Sequence, residues 1–425
     1  KNNIANIIPM KAVVLAAGES SRFWPFNQKH KSLFQIMSKP LIWYTLEGLG
    51  KSGIKDIIVV QGPEKIVEKE LKNYKTKLKI NYVAQAEPNG TGNALLQAKD
   101  LIKGPFVVIG AHKIDCGEYL PLLLKKSRQT PQKIVFLGVR TSRPQDFGIL
   151  KFQDNKILEI VENPPEGKEP SDIKSTEAYV FPNNFFDYLK RVTEREQSLI
   201  DAANLFIKEN GAEFVLLKEG TISLKYPWDL LDVNDYSLKN IRTAIRGKVE
   251  KNCVISGAVV VERGSLVKSG AYIEGPVYIG RNCYIGPNCH IRNSTSIGDN
   301  CRIGNGAEIK NSIVGDNSKI PHLSFVGDSI IGDNCNLAAG TIAANFRFDK
   351  KTVKSVVKGQ IIDTQKDKFG CAIGDNTQTG VNVSLMPGVI IGSNCAIGPN
   401  SLVIRNIEDD TVFYTKHMEV VKKRS

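Results

Sequence analysis

Three groups of residues in this 425-residue chain have the types and spacing to do chemistry. Leu15-Ala16-Ala17-Gly18-Glu19-Ser20-Ser21-Arg22 leaves an apolar run and enters a Gly/Ser loop. Backbone N–H groups in such a loop can cradle phosphate, and the Arg22 guanidinium adds a bidentate donor. His322 lies in Ile320-Pro321-His322-Leu323-Ser324-Phe325-Val326-Gly327-Asp328, where a repeat breaks register. An imidazole can accept and return a proton, and amides follow at Asn336 and Asn345, which suits a general base; the bland alternative is a structural histidine. Arg292 and Lys310 each replace a turn glycine after an isoleucine. Two long cations one turn of chain apart would project outward near His322 and form an anion site, against the alternative of scattered solvated charges.

The elements that must position these groups are legible from periodicity. Val249, Ile255, Val261, Val267, Ile273, Ile279, Ile285, Ile291, Ile297, Ile303 and Ile309 place a β-branched residue at every sixth position. Neither a helix nor a flat strand needs that period, whereas a parallel β-solenoid does. Glycine often follows the aliphatic, as at Gly280 and Gly298, where the turn is expected to want a residue without Cβ restriction. The frame moves after Ile309 to Val314, Ile320 and Val326, then to Ile331 and Leu337, and is lost in a Lys-rich loop between Asn345 and Cys371. It resumes at Ile373, Leu385, Ile391, Ile397 and Val403. Upstream, AVVLAAG (12–18), IKDIIVV (54–60), LKINYVA (78–84), PFVVIG (105–110) and KIVFLGV (133–139) predict buried strands. Helical patterns at 40–53, 93–102 and 119–127 separate them, so a mostly parallel sheet covered on both faces is expected. The expected organisation is an α/β domain over 11–228, a connecting helix within 229–248, a solenoid over 249–404 and a tail over 405–425.

The first segment resembles the sugar-1-phosphate nucleotidyltransferases, whose opening motif has the form LAAGxGTR. Lys31-Ser32-Leu33, Gln85-Ala86-Glu87-Pro88-Asn89-Gly90-Thr91-Gly92, Phe147-Gly148, Glu162-Asn163-Pro164 and Tyr226-Pro227-Trp228-Asp229 match its later motifs. The resemblance covers essentially all of 11–240 and implies a Rossmann-like fold. It implies that Leu15, Ala16, Ala17, Gly18, Gln85, Gly90 and Thr91 contact the nucleotide. Arg22 and Lys31 would act on the phosphates, and Gly148 and Glu162 on the sugar. Four positions depart from the pattern. The second glycine is Ser20, and the lysine expected before a proline is Asn163. The strand-end Gly-Asp that would hold Mg²⁺ reads Gly110-Ala111-His112, and the second metal carboxylate aligns with Ser223. His112, Asp115 and Asp229 are the candidates left for a Mg²⁺ site, although imidazole is a poor ligand for that ion.

The second segment resembles the acetyltransferase half of the bifunctional N-acetylglucosamine-1-phosphate uridylyltransferase/glucosamine-1-phosphate N-acetyltransferases, closest to the archaeal branch. Gly340-Thr341-Ile342-Ala343-Ala344-Asn345-Phe346-Arg347-Phe348-Asp349 and Thr379-Gly380-Val381-Asn382 carry the likeness. It implies a left-handed coil that packs as a homotrimer, with acetyl-coenzyme A between neighbouring coils. It also implies that His322 is the base, that Arg292, Lys310, Asn336, Asn345 and Lys351 hold the acceptor, and that Ala339 and Gly380 lie along coenzyme A. The tyrosine expected three residues after the histidine is Phe325, one hydroxyl fewer.

Composition narrows the partners. The formal charge is +13, from 57 Lys plus Arg against 44 Asp plus Glu, but the cations are scattered without interleaved aromatics. Nucleic acid is therefore not expected, and polyanionic substrates (a nucleoside triphosphate, a sugar phosphate, acetyl-coenzyme A) account for the excess. No apolar run is long enough to span a membrane, and residues 1–9 read as a short leader before Met10. Cys253, Cys283, Cys289, Cys301, Cys335 and Cys395 each follow a repeat aliphatic by four residues, so buried thiols in a reducing cytoplasm are expected. The expected activity is nucleotide-sugar biosynthesis: acetylation of an amino-sugar-1-phosphate, then coupling to UTP or dTTP. A single-activity enzyme with a degenerate first domain, or a non-catalytic trimer that binds nucleotide-sugars, are the alternatives.

Overall fold

Ala12, Val13 and Val14 have no exposed surface, so the strand Lys11–Ala16 (β1) presents apolar side chains to both sides of a sheet. Only a strand covered on both faces can use such a run. In the computed structural model, which describes residues 10–154, 156–416, 418, 421 and 423, β1 sits near the centre of a nine-stranded sheet. The other strands are β2 (Asp56–Gln61), β3 (Lys79–Ala84), β4 (Phe106–Gly110), β5 (Ile134–Arg140), β6 (Gly148–Gln153), β7 (Lys156–Glu162), β8 (Ile173–Phe181) and β9 (Ala212–Leu217). Their order is β3-β2-β1-β4-β8-β5-β9-β7-β6. The predicted leader at 1–9 and much of the end of the predicted tail lie outside the described residues.

The sheet is parallel only in part. β1 pairs in parallel with β2 and with β4, and β2 with β3, but β8 runs antiparallel to both β4 and β5. β6 and β7 form an antiparallel pair at one edge. The chain leaves β1 toward β2 and β3, then returns on the other side of β1 to make β4. The crevice between the ends of β1 and β4 is thus a topological switch point, where open α/β sheets bind ligands. The helices α1 (Leu41–Lys51), α2 (Gly90–Leu96), α3 (Cys116–Gln129) and α4 (Ser198–Asn210) cover the faces, and two separate apolar cores lie on the two sides.

The chain divides into two compact units. The first comprises 1–19, 29–34 and 40–223; the second comprises 20–28, 35–39 and 224–425. Ser20–Gln28 and Gln35–Lys39 thus group with the second unit, away from the α/β sequence that surrounds them.

The second unit holds the helix α5 (Asp229–Leu238), which is shorter than the helical pattern at 229–246. A coil follows, with its first strand already at Ala244–Ile245, paired in parallel with Val260–Val261. Three parallel sheets of eight, nine and eight strands make its three walls, as in a left-handed β-helix of hexapeptide repeats. Ile255 pairs with Ile273 and Ile273 with Ile291, so one turn takes 18 residues (273 minus 255). The inward column runs through Val261, Ile279, Ile297, Val314, Ile331, Ile373 and Ile391, all fully buried or nearly so. Two consecutive turns take 17 residues, as in Ile309 with Val326 and Val326 with Ala343. Ile331 pairs with Ile373, and the intervening chain forms an antiparallel hairpin of Lys354–Val357 with Gln360–Asp363.

Of the glycines after the aliphatics, Gly286 has the left-handed backbone expected, at φ +94°, whereas Gly280 and Gly298 serve a different purpose. A Cβ on Gly280 would meet Asp299 Oδ1 at 2.4 Å and the Gly298 oxygen at 2.5 Å, so closeness of the next turn selects glycine there. The left-handed backbone is taken at other corners by glycines such as Gly264 and Gly270, and by asparagines, among them Asn282, Asn300, Asn376 and Asn394. Asparagine tolerates that conformation better than most residues. Their amides also stack, with Asn282 Nδ2 donating to Asn300 at 3.3 Å and Asn376 to Asn394 at 3.0 Å.

Candidate active sites of the two units

In the first unit the residues expected to contact phosphate lie at the end of β1, beside the switch point. Leu15 and Ala17 are half-buried and Gly18 is exposed, with open space where its Cβ would be. The Ala111 N–H donates to the Leu15 oxygen at 3.1 Å, which joins the end of β1 to the turn after β4. Gln85 is buried, and its Nε2 donates to the Gly90 oxygen at 3.2 Å and to Asn93 Oδ1 at 2.9 Å. Gln85, Gly90 and exposed Thr91 therefore form one corner. Gly90 has φ +89° and a Cβ there would lie 2.5 Å from the Arg195 oxygen, so no other residue fits. Gly148 and Glu162 are direct partners across β6 and β7, and a Cβ at Gly148 would meet Glu162 Oε1 at 2.4 Å. Burial, with Asp201 and Glu196 adding to it, raises the Glu162 carboxyl above its ordinary range.

Around the end of β4 the charges are unusual. His112 is buried, and burial first, then Lys31, Lys113 and His30, hold it well below the ordinary histidine range, so it is neutral at pH 7. Its Nε2 lies 3.7 Å from Glu177 Oε2. Asp115 is buried with its carboxyl raised, chiefly by burial; one oxygen accepts the Ile222 N–H at 2.8 Å and the other has no partner. Lys174 donates to Ser223 Oγ at 3.1 Å, and its ammonium rests 4.0 Å from the centre of the Phe147 ring.

The three metal candidates are not gathered into a ligand set. Asp229 belongs to the second unit, where one oxygen accepts the N–H groups of Lys225 at 2.7 Å and Tyr226 at 2.8 Å and closes the turn before α5. Among the described residues no three His, Cys, Asp or Glu side chains come close enough together to hold an ion. A hard dication wants oxygens that converge on it, whereas at the end of β4 the Asp115 carboxylate is buried with one oxygen on the Ile222 N–H, Glu177 leans 3.7 Å from a neutral imidazole, and the nearby lysines carry like charge. The donor set does not fit Mg²⁺. Arg22 also falls in the second unit, in a segment held by Lys358 Nζ to Ser21 Oγ at 2.9 Å and by Trp24 Nε1 to the Asp409 carboxylate at 3.2 Å.

In the second unit Arg292 and Lys310 are register partners on adjacent turns, one above the other on one wall. Arg292 donates to Glu308 Oε1 from Nε at 3.0 Å and from Nη2 at 2.8 Å. Lys310 Nζ lies 3.0 Å from Asp328 Oδ2. Asp328, buried, also accepts from Asn345 Nδ2, and from Asn311 Nδ2 at 2.7 Å. One buried carboxylate thus fixes Lys310 and Asn345 together. Phe325 and Asn345 flank Gly327, where a Cβ would meet Phe325 Cζ at 2.6 Å and Asn345 Nδ2 at 2.7 Å.

His322 ends a strand on the adjoining wall, paired with Asn305, and its side chain is exposed at the corner. Its backbone oxygen accepts the Gly340 N–H at 3.3 Å, which sets Ala339 beside it. Asn336 lies on the same wall one turn further on, half-buried. Lys351 is exposed, with its N–H on Asp349 Oδ1 at 3.3 Å, and Gly380 stacks against Pro399. Sequence reasoning missed Asp328 and Lys174. Asp328 had a signal, since it follows glycine inside the register break; Lys174 had none, because only the fold brings it to Ser223.

Comparison with known proteins agrees with this division. Residues 11–224 match the nucleotidyl transferase family, 273–367 the GMPPB C-terminal domain, and 370–405 the six-repeat bacterial transferase hexapeptide. The chain is 38% identical to the Methanococcus aeolicus "Bifunctional protein GlmU", over 98% of this chain and 100% of that protein. It is 36% identical to the protein of the same name from Methanocaldococcus jannaschii, over 97% and 100%. A "Bifunctional sugar-1-phosphate nucleotidylyltransferase/acetyltransferase" from Sulfurisphaera tokodaii is 36% identical over 94% of this chain and 98% of its own.

Proposed function

This chain belongs to the bifunctional sugar-1-phosphate nucleotidyltransferase/acetyltransferase family, and on that premise we propose the two reactions its units perform in nucleotide-sugar biosynthesis. The second unit transfers acetyl from acetyl-coenzyme A to the amino group of an amino-sugar-1-phosphate. Arg292 and Lys310 bind the phosphate, and the exposed His322 takes the proton as the amine attacks the thioester carbonyl; the C–S bond breaks, His322 passes the proton to the departing thiolate, and coenzyme A leaves as the thiol. Asn336, Asn345 and Lys351 complete the acceptor site, with Ala339 and Gly380 along the coenzyme. The first unit joins a sugar-1-phosphate to a uridine or thymidine nucleotide. A phosphate oxygen of the sugar attacks the α-phosphorus and pyrophosphate leaves. Lys31 carries the developing charge, Gln85, Gly90 and Thr91 hold the base, and Gly148 with Glu162 the sugar.

The observation that supports this reading most is the stacking of Arg292 on Lys310, with Asn345 fixed to the same carboxylate and His322 exposed on the adjoining wall. The assembly we propose is a homotrimer with acetyl-coenzyme A between coils. Leu323, beside His322, is 65% exposed and would be covered there. Among the described residues no helix is long and apolar enough to cross a membrane, and the eight thiols, all unbridged, suit a reducing cytoplasm. The test is release of thiol from acetyl-coenzyme A with glucosamine- or galactosamine-1-phosphate. His322→Ala is expected to lower kcat by about 10²- to 10⁴-fold; an unchanged rate would remove His322 as the base.

A further inference from the structure

At the end of the α/β sheet a circuit of short links, some through side chains and some along the chain, joins His112, Glu177, Lys174, Ser223 and Asp115. His112 meets Glu177 at 3.7 Å. Three residues beyond His112, Asp115 accepts the Ile222 N–H at 2.8 Å. The next residue, Ser223, accepts from Lys174 Nζ at 3.1 Å. Lys174 is three residues before Glu177 on β8, and this returns to the start. All of these residues belong to the first unit and border the crevice at the end of β4. Lys174 and Lys113 are 9% and 5% exposed, so both ammonium groups lie deep in the wall.

We propose that Lys174 is a phosphate-positioning residue of the nucleotidyl site, and that this site binds nucleoside triphosphate without a divalent cation. The inference rests on the nucleotidyl half of the function proposed above. The two positions at which the family resemblance expects metal-holding carboxylates are Ala111 and Ser223. A dication between two carboxylates adds no net charge to its surroundings. A lysine held by the Ser223 hydroxyl adds one positive charge, fixed in place and attractive to phosphate. The same charge repels a dication, and the two carboxylates present do not converge: Glu177 has a side chain 58% exposed, while Asp115 is buried with one oxygen taken by the Ile222 N–H. Phe147 orients the ammonium from below: the ring face attracts the cation, and Phe147 precedes Gly148 of the sugar-contacting pair. Asn163, where a lysine was expected, donates its backbone N–H to the Phe147 oxygen at 3.1 Å, so the chain carries its lysine on β8 beside the same ring.

Isothermal titration of the full-length protein with UTP and with dTTP, in Mg²⁺ and in EDTA, tests this. Whichever nucleotide binds is expected to do so with a Kd that changes by no more than about twofold between the two buffers. Lys174→Met is expected to weaken binding at least about tenfold in both, while Lys174→Arg, which keeps the charge, retains most of it. Thermal melting of each variant shows whether the fold is kept. Binding that needs Mg²⁺ in the unaltered protein overturns the inference alone. So does wild-type affinity in a folded Lys174→Met variant. Absence of binding by either nucleotide in either buffer overturns it together with the nucleotidyl half of the proposed function.

Discussion

Asp328 shows how one side chain can decide a site that its own atoms need not touch. Its carboxylate holds Lys310, Asn311 and Asn345, with side-chain exposures of 13% for Lys310 and 6% for itself. Breaking a buried pair by removing one partner costs about 3–5 kcal/mol, because the other charge is left uncompensated. Asp328→Asn is expected to lose stability toward the upper part of that scale in urea titrations, and to slow acetyl transfer through a raised KM for the acceptor. His30 gives a second prediction at this scale. Burial first, then Lys31, lowers its imidazole to about 3. An unfolded histidine titrates near 6.5, so between about pH 6.5 and 3 the unfolded chain binds the extra proton and stability falls as pH falls. Asp115, raised by burial, works in the opposite direction. A variant comparison separates the two: His30→Asn should lose less melting temperature between pH 7 and 4.5 than the unaltered protein.

At the scale of elements, the six-residue period foretold the coil because each inward aliphatic must rest on the one a turn away. Ile291 is fully buried and pairs with Ile273 and Ile309. Ile291→Ala removes a side chain whose neighbours cannot close the gap, and a loss of about 2–5 kcal/mol is expected by chemical denaturation. The strands predicted at 12–18, 54–60, 105–110 and 133–139 were legible because runs buried on both faces leave an unbroken apolar signature; the one at 78–84 forms too, but as a half-exposed edge strand and not the buried one expected. β8 was not, because IKSTEAYVF mixes Lys174 and Glu177 into a strand whose polar residues serve the crevice. The antiparallel return of β8 was hidden with it. The phosphate loop, Gln85 with Gly90, and Gly148 with Glu162 were legible as motifs. The pairing of Lys174 with Ser223 was not, because those residues meet only through the fold, 49 positions apart in the chain.

At the scale of the molecule, seven of the eight cysteines are buried and Cys253 is the partly exposed exception. Burial pushes the thiols of Cys116, Cys289, Cys335 and Cys371 up to about 12. Reaction follows the thiolate and its access, so a disulfide reagent at pH 8 should modify about one thiol in the native chain. All eight should react in guanidinium, which spectrophotometric titration would count. The coil also fixes how such a protein can change in length. Gain or loss of a whole turn leaves every inward aliphatic facing inward, and merely slides what lies beyond it along the axis. The two 17-residue turns, Ile309 to Val326 and Val326 to Ala343, are places where a corner has surrendered one residue. Lys310 and His322 lie within the first of them and Arg292 one turn earlier, so the proposed acceptor pocket sits where an otherwise uniform ruler has been cut short.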